Sequence, residues 1–444
     1  VGAVVLTVVL PWIWSPLLPQ TNGFSIINFL VFASMASLIL SRAFAKTSTV
    51  WPPAPMWLCY LLPIALAAVI AWPNLPIGEA NFPARLNAVG ESSYAMMPFL
   101  KSRIIKPLFF VLFAWVLANA VRDSERPERF LVALGIAAVI PAFAIVAQVA
   151  GGVDVNDRDK FLSGLGLQVN EFGTLLTLAC GPLLFVWTGS GPKRARYACG
   201  LAFMVTSVAA LMTASRGAML AFVAVVAIWL LRRRKLSDWL LIIGAVAVVV
   251  AILPEAAQDR LTMGFDDIGA TTASNRDDPL TKGRVAVWAA LAPDFFKSPV
   301  FGNGLSSTGW NSAVTSGRIY VGHPHNLFLT ILLDLGLVGG LAMLYFYFKL
   351  GRTMLQLAAP ASPLSPVLKD YFAGAFAAFV GMLVGSITGG TYTPHPEQTF
   401  MWVAIGFTMA FWKQAGIGKS AVNKPYGLGV RPIASRSGSG VPPV

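Results

Sequence analysis

Apolar runs of roughly 17 to 25 residues, separated by short polar turns, recur along the chain, and about 20 such residues let an α-helix cross a hydrocarbon core of about 30 Å. The pattern predicts twelve spans near residues 1–19, 24–41, 53–72, 104–120, 130–150, 167–188, 197–214, 217–231, 237–253, 326–349, 367–390 and 399–413. Only "TASRGA" (213–218) separates the seventh from the eighth, so these two read as a helix pair or as one broken helix. The expected fold is an all-α polytopic membrane protein, with one transmembrane domain over 1–414. A Gly-, Pro- and Ser-rich cytoplasmic tail, 415–444, is expected to be disordered. Residues 1–14 lack the basic start and small-residue cleavage site of a signal peptide and read as part of the first span.

Composition agrees: 56% of the 444 residues are hydrophobic, 12% are charged and the mean hydropathy is +0.67, which excludes an ordinary soluble domain. A net charge of +13 raises the question of nucleic acid. The basic residues, however, fall in clusters between apolar runs, not along one polar face. These clusters are Arg42 with Lys46; Arg122, Arg126 and Arg129; Lys193, Arg194 and Arg196; Arg232 to Lys235; Lys349 with Arg352; and Lys413 with Lys419. They occupy alternate loops, and the positive-inside rule then makes that side cytoplasmic and both termini cytoplasmic. The opposite side carries the longer loops, 73–100, 151–166, 254–325 and 388–398. The segment 254–325 is too long for a mere connection and is expected to carry function. Within it, Lys282–Lys297 has apolar residues at helical spacing, predicting a helix with one face on the membrane surface and a kink or end at Pro293. Cys59, Cys180 and Cys199 each sit inside an apolar run and read as buried thiols.

Polar residues that such a chain would not retain for packing cluster on the outer side: His323, His325, Asn326, Arg216, Arg284 and His395. No ATP is available there. Arg216 stands between two apolar runs, where a central arginine costs about 2.5–3.5 kcal/mol; it calls for an anion unless it snorkels to head groups. Arg284 opens the loop helix, and Lys101, Arg103 and Lys106 ("KSRIIKP") open the fourth span, with Arg103 and Lys106 three apart on one helix face. Three basic elements with few carboxylates beside them suit a diphosphate, which arginine grips with paired hydrogen bonds. His323 and His325 in "GHPHNLFL" admit a metal, a helix cap or a general base. The spacing is weak for metal even with Asp266, Asp267, Asp277 and Asp278 to recruit, whereas a neutral imidazole suits deprotonating a hydroxyl, with Asn326 to orient it. A transporter would instead use ionisable groups within the spans, here Asn170 with Glu171, and Asp334.

Taken together, "TASRGAML", "KGRVAVW" followed by "SPVFGNGLSSTG", and "HPHNLFLTILLDLGLVGG" resemble the O-antigen ligase and O-antigen polymerase family of bacterial envelope enzymes. The resemblance implies a metal-independent membrane-embedded glycosyltransferase of the Gram-negative inner membrane, working on the periplasmic side without a cofactor. It implies an undecaprenyl-diphosphate-linked glycan as donor and lipid A-core as acceptor, His325 as the catalytic histidine, and Arg216 and Arg284 as the important arginines. Polymerase and protein O-oligosaccharyltransferase activities share that donor chemistry. The extra histidine His323, and Arg103 and Lys106, are not carried by the resemblance and rest on the residues alone.

Overall fold

The computed structural model describes residues 33–37, 39–40, 49–51, 53–82, 94–153, 168–233, 239–240, 244 and 284–416. The described residues form helices and loops, with no strand among them. In chain order the helices are α1 (Ala54–Ala71), α2 (Leu75–Asn81), α3 (Met96–Leu100), α4 (Lys106–Arg122), α5 (Arg129–Ala150), α6 (Val169–Thr188), α7 (Lys193–Met212) and α8 (Arg216–Arg233). Further along the chain come α9 (Arg284–Leu291), α10 (Ser312–Thr315), α11 (Leu327–Leu357), α12 (Pro366–Gly385) and α13 (Thr399–Phe411). Among the described residues, seven stretches are long and apolar enough to cross a membrane: α1 continued through α2, α3 through α4, then α5, α6, α7, α11 and α12. The eighth and twelfth expected runs are helical as α8 and α13, although α8 carries arginines at both ends and α13 is short. The expected spans 1–19 and 237–253, most of 24–41, residues 254–283 and the tail beyond 416 lie outside the described residues, apart from the isolated positions at 239–240 and 244.

The interruption at "TASRGA" resolves into two helices. Ala214 takes a left-handed φ of 46°, which an α-helix cannot propagate, and α8 restarts at Arg216. The centre of the bundle is α6, 78% buried in the protein over its apolar stretch against 33% for α1 through α2. It packs on α7, α12 and α8. Small residues permit this: α12 crosses α6 at Gly374 on Gly181 and crosses α8 at Gly385 on Gly217, where an added Cβ would meet opposing backbone. Of the three cysteines, Cys180 is buried beside Ser207 and Thr206, whereas Cys59 and Cys199 are half-exposed, a correction to the expectation of three buried thiols.

The tenth expected span, α11, is broken. Gly336 leaves the helical region (φ 64°, ψ −165°), freeing backbone groups that a membrane interior cannot hydrate. The loop "SPVFGNGLSS" satisfies them. Asn303 N and Gly304 N donate to Leu333 O (2.7 Å) and Asp334 O (3.1 Å), while Leu337 N and Val338 N donate to Pro299 O (2.8 Å) and Val300 O (3.1 Å). Leu305 N continues the stitch to Ala67 O on α1 at 2.9 Å. The Asp334 side chain lies at the same break, 2% exposed, and accepts hydrogen bonds from Ser306 N (3.0 Å), Ser307 N (2.9 Å), Ser307 Oγ (2.7 Å) and Tyr392 Oη (2.9 Å). Tyr60 Oη on α1 donates to Tyr392 O at 2.9 Å, so one carboxylate ties α11, the large loop and the loop before α13 together. Asp334, considered above as a transport residue, is thus taken up by structure.

The loop helix predicted at 282–297 is α9, and Pro293 ends it as a tighter 3₁₀ turn over Ala292–Lys297. Leu291 is buried, and Val287 and Phe295 pack on the core, so part of its apolar face is turned to protein. Asp294 fastens the following segment: it accepts from Ser312 N (2.7 Å), the Ser312 hydroxyl and Lys297 Nζ (2.9 Å). Burial opposes its charge, yet the Ser312 hydrogen bonds and Lys297 outweigh this and hold its pKa below the usual carboxylate value.

Replacing Asp334 by Ala strands two amides and two hydroxyls inside the protein, at about 1–3 kcal/mol for each buried group left unsatisfied. The expected outcome is a pronounced drop in thermal unfolding temperature in detergent, larger than for Asp294→Ala, which strands one amide and one hydroxyl of Ser312 and frees the exposed Lys297. Equal, small shifts for the two variants would contradict the ranking.

Candidate active site

Every helix that reaches the site does so from the same end. Arg103 precedes α4, Glu171 opens α6, Arg216 opens α8, Asn326 caps α11, Gly385 closes α12, and His395 to Gln398 lead into α13. The basic residues Arg122, Lys193, Arg232, Arg233, Lys349 and Lys413 sit at or toward the other ends of those helices or in the turns beyond them. Between the site-side ends lies a cavity of about 330 Å³ with a mixed polar and apolar lining.

Three arginines reach this cavity: Arg103, Arg216 and Arg284. Arg216 is the first residue of α8, and Ala214 to Gly217 line the cavity beside it, so the guanidinium and the start of a long helix act on the same space. Helix N-termini and arginine both favour anions, phosphate in particular. The Ser215 hydroxyl accepts from Ala218 N at 3.5 Å at that helix start. Arg103 lies on a wider π-helical turn, Lys101–Ile105, inserted between α3 and α4. That winding alters the angular spacing along the helix, and Lys106, expected on the same face, is exposed and does not line the cavity. The structure therefore brings Arg103 to the site and leaves Lys106 outside it. Arg284, at the start of α9, arrives from the large loop.

The "HPHN" turn is held from three directions. Trp288 Nε1 on α9 donates to Pro324 O at 2.8 Å, Leu327 N donates to Ser386 O at 2.9 Å, and Asn326 Oδ1 accepts from Phe328 N (3.0 Å) and Leu329 N (3.1 Å). The Asn326 side chain is thus a helix cap for α11 and aligns His325 through the backbone they share. His325 takes φ 53°, a left-handed conformation uncommon for a residue with a Cβ and typical of over-determined functional turns. Its amide donates to His323 Nδ1 at 3.3 Å, and the two rings lie 3.7 Å apart, centroid to centroid. His325 is half-buried and His323 is exposed toward the cavity. Crowding by protein atoms, then the Arg284 charge, pushes the His325 pKa down to about 4. Crowding, then His325, Arg103, Arg284 and His395, pushes His323 down to about 3. Both imidazoles are neutral at physiological pH.

A second cluster lines the same cavity. His395 Nδ1 is 3.2 Å from Glu397 Oε2 and 3.9 Å from Glu171 Oε1, and Glu171 Oε2 accepts from Gln168 N at 2.9 Å. Burial lowers the His395 pKa, but the two carboxylates outweigh it and raise it above the ordinary value, favouring the imidazolium. Each of the three residues has a ligand-capable atom within 4.8 Å of the others, which makes this the one group among the described residues with the geometry to hold a cation. Glu397 was not singled out in the sequence, although it stands two residues after His395 in "TPHPEQ"; Glu171 was read only as a transport residue. Asp266, Asp267, Asp277 and Asp278 lie outside the described residues.

Removing Arg103 is expected to weaken binding of a lipid diphosphate about tenfold or more, the scale of one charged hydrogen bond. Lys106→Ala should change it less than about twofold, as for an exposed charge that touches nothing critical. Equilibrium binding of undecaprenyl diphosphate to the purified variants checks the contrast, and equal losses would return both residues to one face.

No curated protein sequence matches the chain. Residues 201–344, however, match the family model described as O-Antigen ligase, and that stretch holds Arg216, Arg284, His323 and His325 together with the broken helix start. The resemblance read from the motifs is borne out over residues 201–344, the stretch that is similar to the O-antigen ligase family.

Proposed function

We propose that the chain is an O-antigen ligase that moves a glycan from undecaprenyl diphosphate to a sugar hydroxyl of lipid A-core, at the periplasmic face of the Gram-negative inner membrane. The observation that carries this reading is the convergence of Arg216, Arg284 and Arg103 with a neutral His325 on one cavity at the ends of the helices away from the basic clusters. By the positive-inside rule those basic ends are cytoplasmic and the cavity is periplasmic, with both termini inside.

The step needs no external energy, because the sugar diphosphate bond is already activated. The acceptor oxygen attacks the anomeric carbon, its proton passes to His325, the carbon–oxygen bond to the diphosphate breaks, and undecaprenyl diphosphate leaves with the electron pair. Attack opposite the leaving group inverts the anomeric centre. The arginines and the start of α8 meet the charge that grows on the diphosphate, a contribution of a few kcal/mol per well-placed donor in comparable sites. A histidine with a pKa near 4 is a weak base in the empty site; the incoming diphosphate offsets the arginine field and strengthens it when the proton must move.

Polymerase and protein O-oligosaccharyltransferase activities differ from this only in the acceptor. Offering the purified protein a lipid-diphosphate-linked glycan with rough lipopolysaccharide, a second glycan or an acceptor protein separates them. Glycan-capped lipopolysaccharide is the expected product, and elongated carrier-linked glycan would move the reading to a polymerase. Counterflow of donor across proteoliposomes without a new glycosidic bond would make the protein a transporter.

The pH dependence has a definite sign. Because the His325 pKa is lowered, its basic form persists to lower pH, and kcat/KM should begin to fall toward pH 4, not near 6.5. Donor binding raises that pKa, so the acid limb of kcat should lie at higher pH than that of kcat/KM. An acid limb of kcat/KM at 6.5 or above contradicts the assignment.

A further inference from the structure

The cavity is electrically divided. Arg103, Arg216 and Arg284 supply its cationic wall, while Glu171 and Glu397 stand on the helix start and turn that complete the lining, bridged by His395. A diphosphate has no use for carboxylates. We propose that Glu171, Glu397 and His395 form the acceptor subsite, binding adjacent hydroxyls of a neutral sugar and excluding one that is phosphorylated; this rests on the transferase reading above.

The geometry leaves room for ligand contacts. Glu171 Oε2 is engaged by Gln168 N and its Oε1 stands 3.9 Å from His395, beyond a direct hydrogen bond. Glu397, 8% exposed on the turn Pro396–Gln398, meets His395 through Oε2. A carboxylate offers about four lone-pair positions, so both retain capacity to accept sugar hydroxyls in charge-assisted hydrogen bonds. His395 stands between them and limits their mutual repulsion, and carboxylate oxygens offer a phosphate no hydrogen-bond donors, while the arginines attract the donor's. Placing anion recognition and hydroxyl recognition on different walls of one cavity orders the two substrates, because the carboxylate wall rejects the donor's diphosphate.

The test separates acceptor binding from turnover. Binding of a lipid-free core oligosaccharide with a neutral terminal sugar is measured directly on the full chain in nanodiscs, for the parent, Glu171→Gln and Glu397→Gln, alongside binding of undecaprenyl diphosphate. The expected result is an acceptor Kd raised about tenfold in each variant with lipid diphosphate binding within about twofold, and a parent that binds the same oligosaccharide phosphorylated on its terminal sugar much more weakly. Glu171→Gln keeps shape at the half-exposed position, so a folding defect confined to Glu397→Gln leaves the comparison intact. Unchanged acceptor binding in both variants, or equal binding of neutral and phosphorylated oligosaccharides, overturns the subsite. Stoichiometric Mn²⁺ binding by the parent that disappears in Glu397→Gln also overturns it, in favour of a cation site. Acceptor binding lost as expected in the variants, beside a parent that binds the acceptor yet transfers no glycan, would sink the transferase reading and leave the carbohydrate subsite standing.

Discussion

The break in α11 at Gly336 is the constraint from which the site follows. A membrane helix interrupted at that point exposes carbonyl and amide groups that only protein can satisfy, and the segment Pro299–Leu305 does so strand-fashion, reaching on to α1. Once that segment is anchored, Asp334 fastens the two serines after it and Tyr392 from the loop before α13. The large loop is thereby fixed at both the helix break and the Asp294–Ser312 contact, which lets α9 press Trp288 onto Pro324 and set the turn carrying His325. The turn proposed as catalytic gains its position from these buried hydrogen bonds instead of from the loop's own stiffness.

The electrostatics follow from the same placement. Helix ends gathered on one side deliver the start of α8, with Arg216, to the space where Arg103 and Arg284 also arrive, and the histidines sit within reach of their charges. Burial first, and then the arginine charges, suppress imidazole protonation, and an anion bound as proposed relieves the second of these. His395 behaves oppositely because its near neighbours are carboxylates. Burial lowers all three pKa values, and only His395 has carboxylates close enough to outweigh it.

Much of this was legible in the sequence. Apolar run length located α1, α4 to α8 and α11 to α13 to within a few residues at most ends, and the alternation of basic clusters picked out the helix ends that build the cavity, whereas α2, α3 and α10 lie in stretches that read as loops. Arg216, Arg284 and His325 stood out because a charge or an imidazole is costly among apolar runs. What was not legible has physical causes. A helix that is apolar all round keeps its hydropathy through a break, so "LDLGLVGG" gave no sign that Gly336 leaves the helix or that Asp334 answers the loop. Arg103 and Lys106 were placed on one face by α-helical spacing, and the π turn at Lys101–Ile105 separated them. Glu397 was overlooked because its partner Glu171 is far away in sequence, and only folding brings the two to His395.

The account turns on a neutral His325 that takes the acceptor proton beside a diphosphate held by arginines, and binding and transfer can be measured in one sample to test it. Purified parent and His325→Ala, in the presence of chelator, are given a lipid-diphosphate-linked glycan and rough lipopolysaccharide. The prediction is that donor affinity survives the substitution while transfer falls by at least about a hundredfold, as when a general base is removed. Transfer at the parental rate by His325→Ala would contradict the central claim.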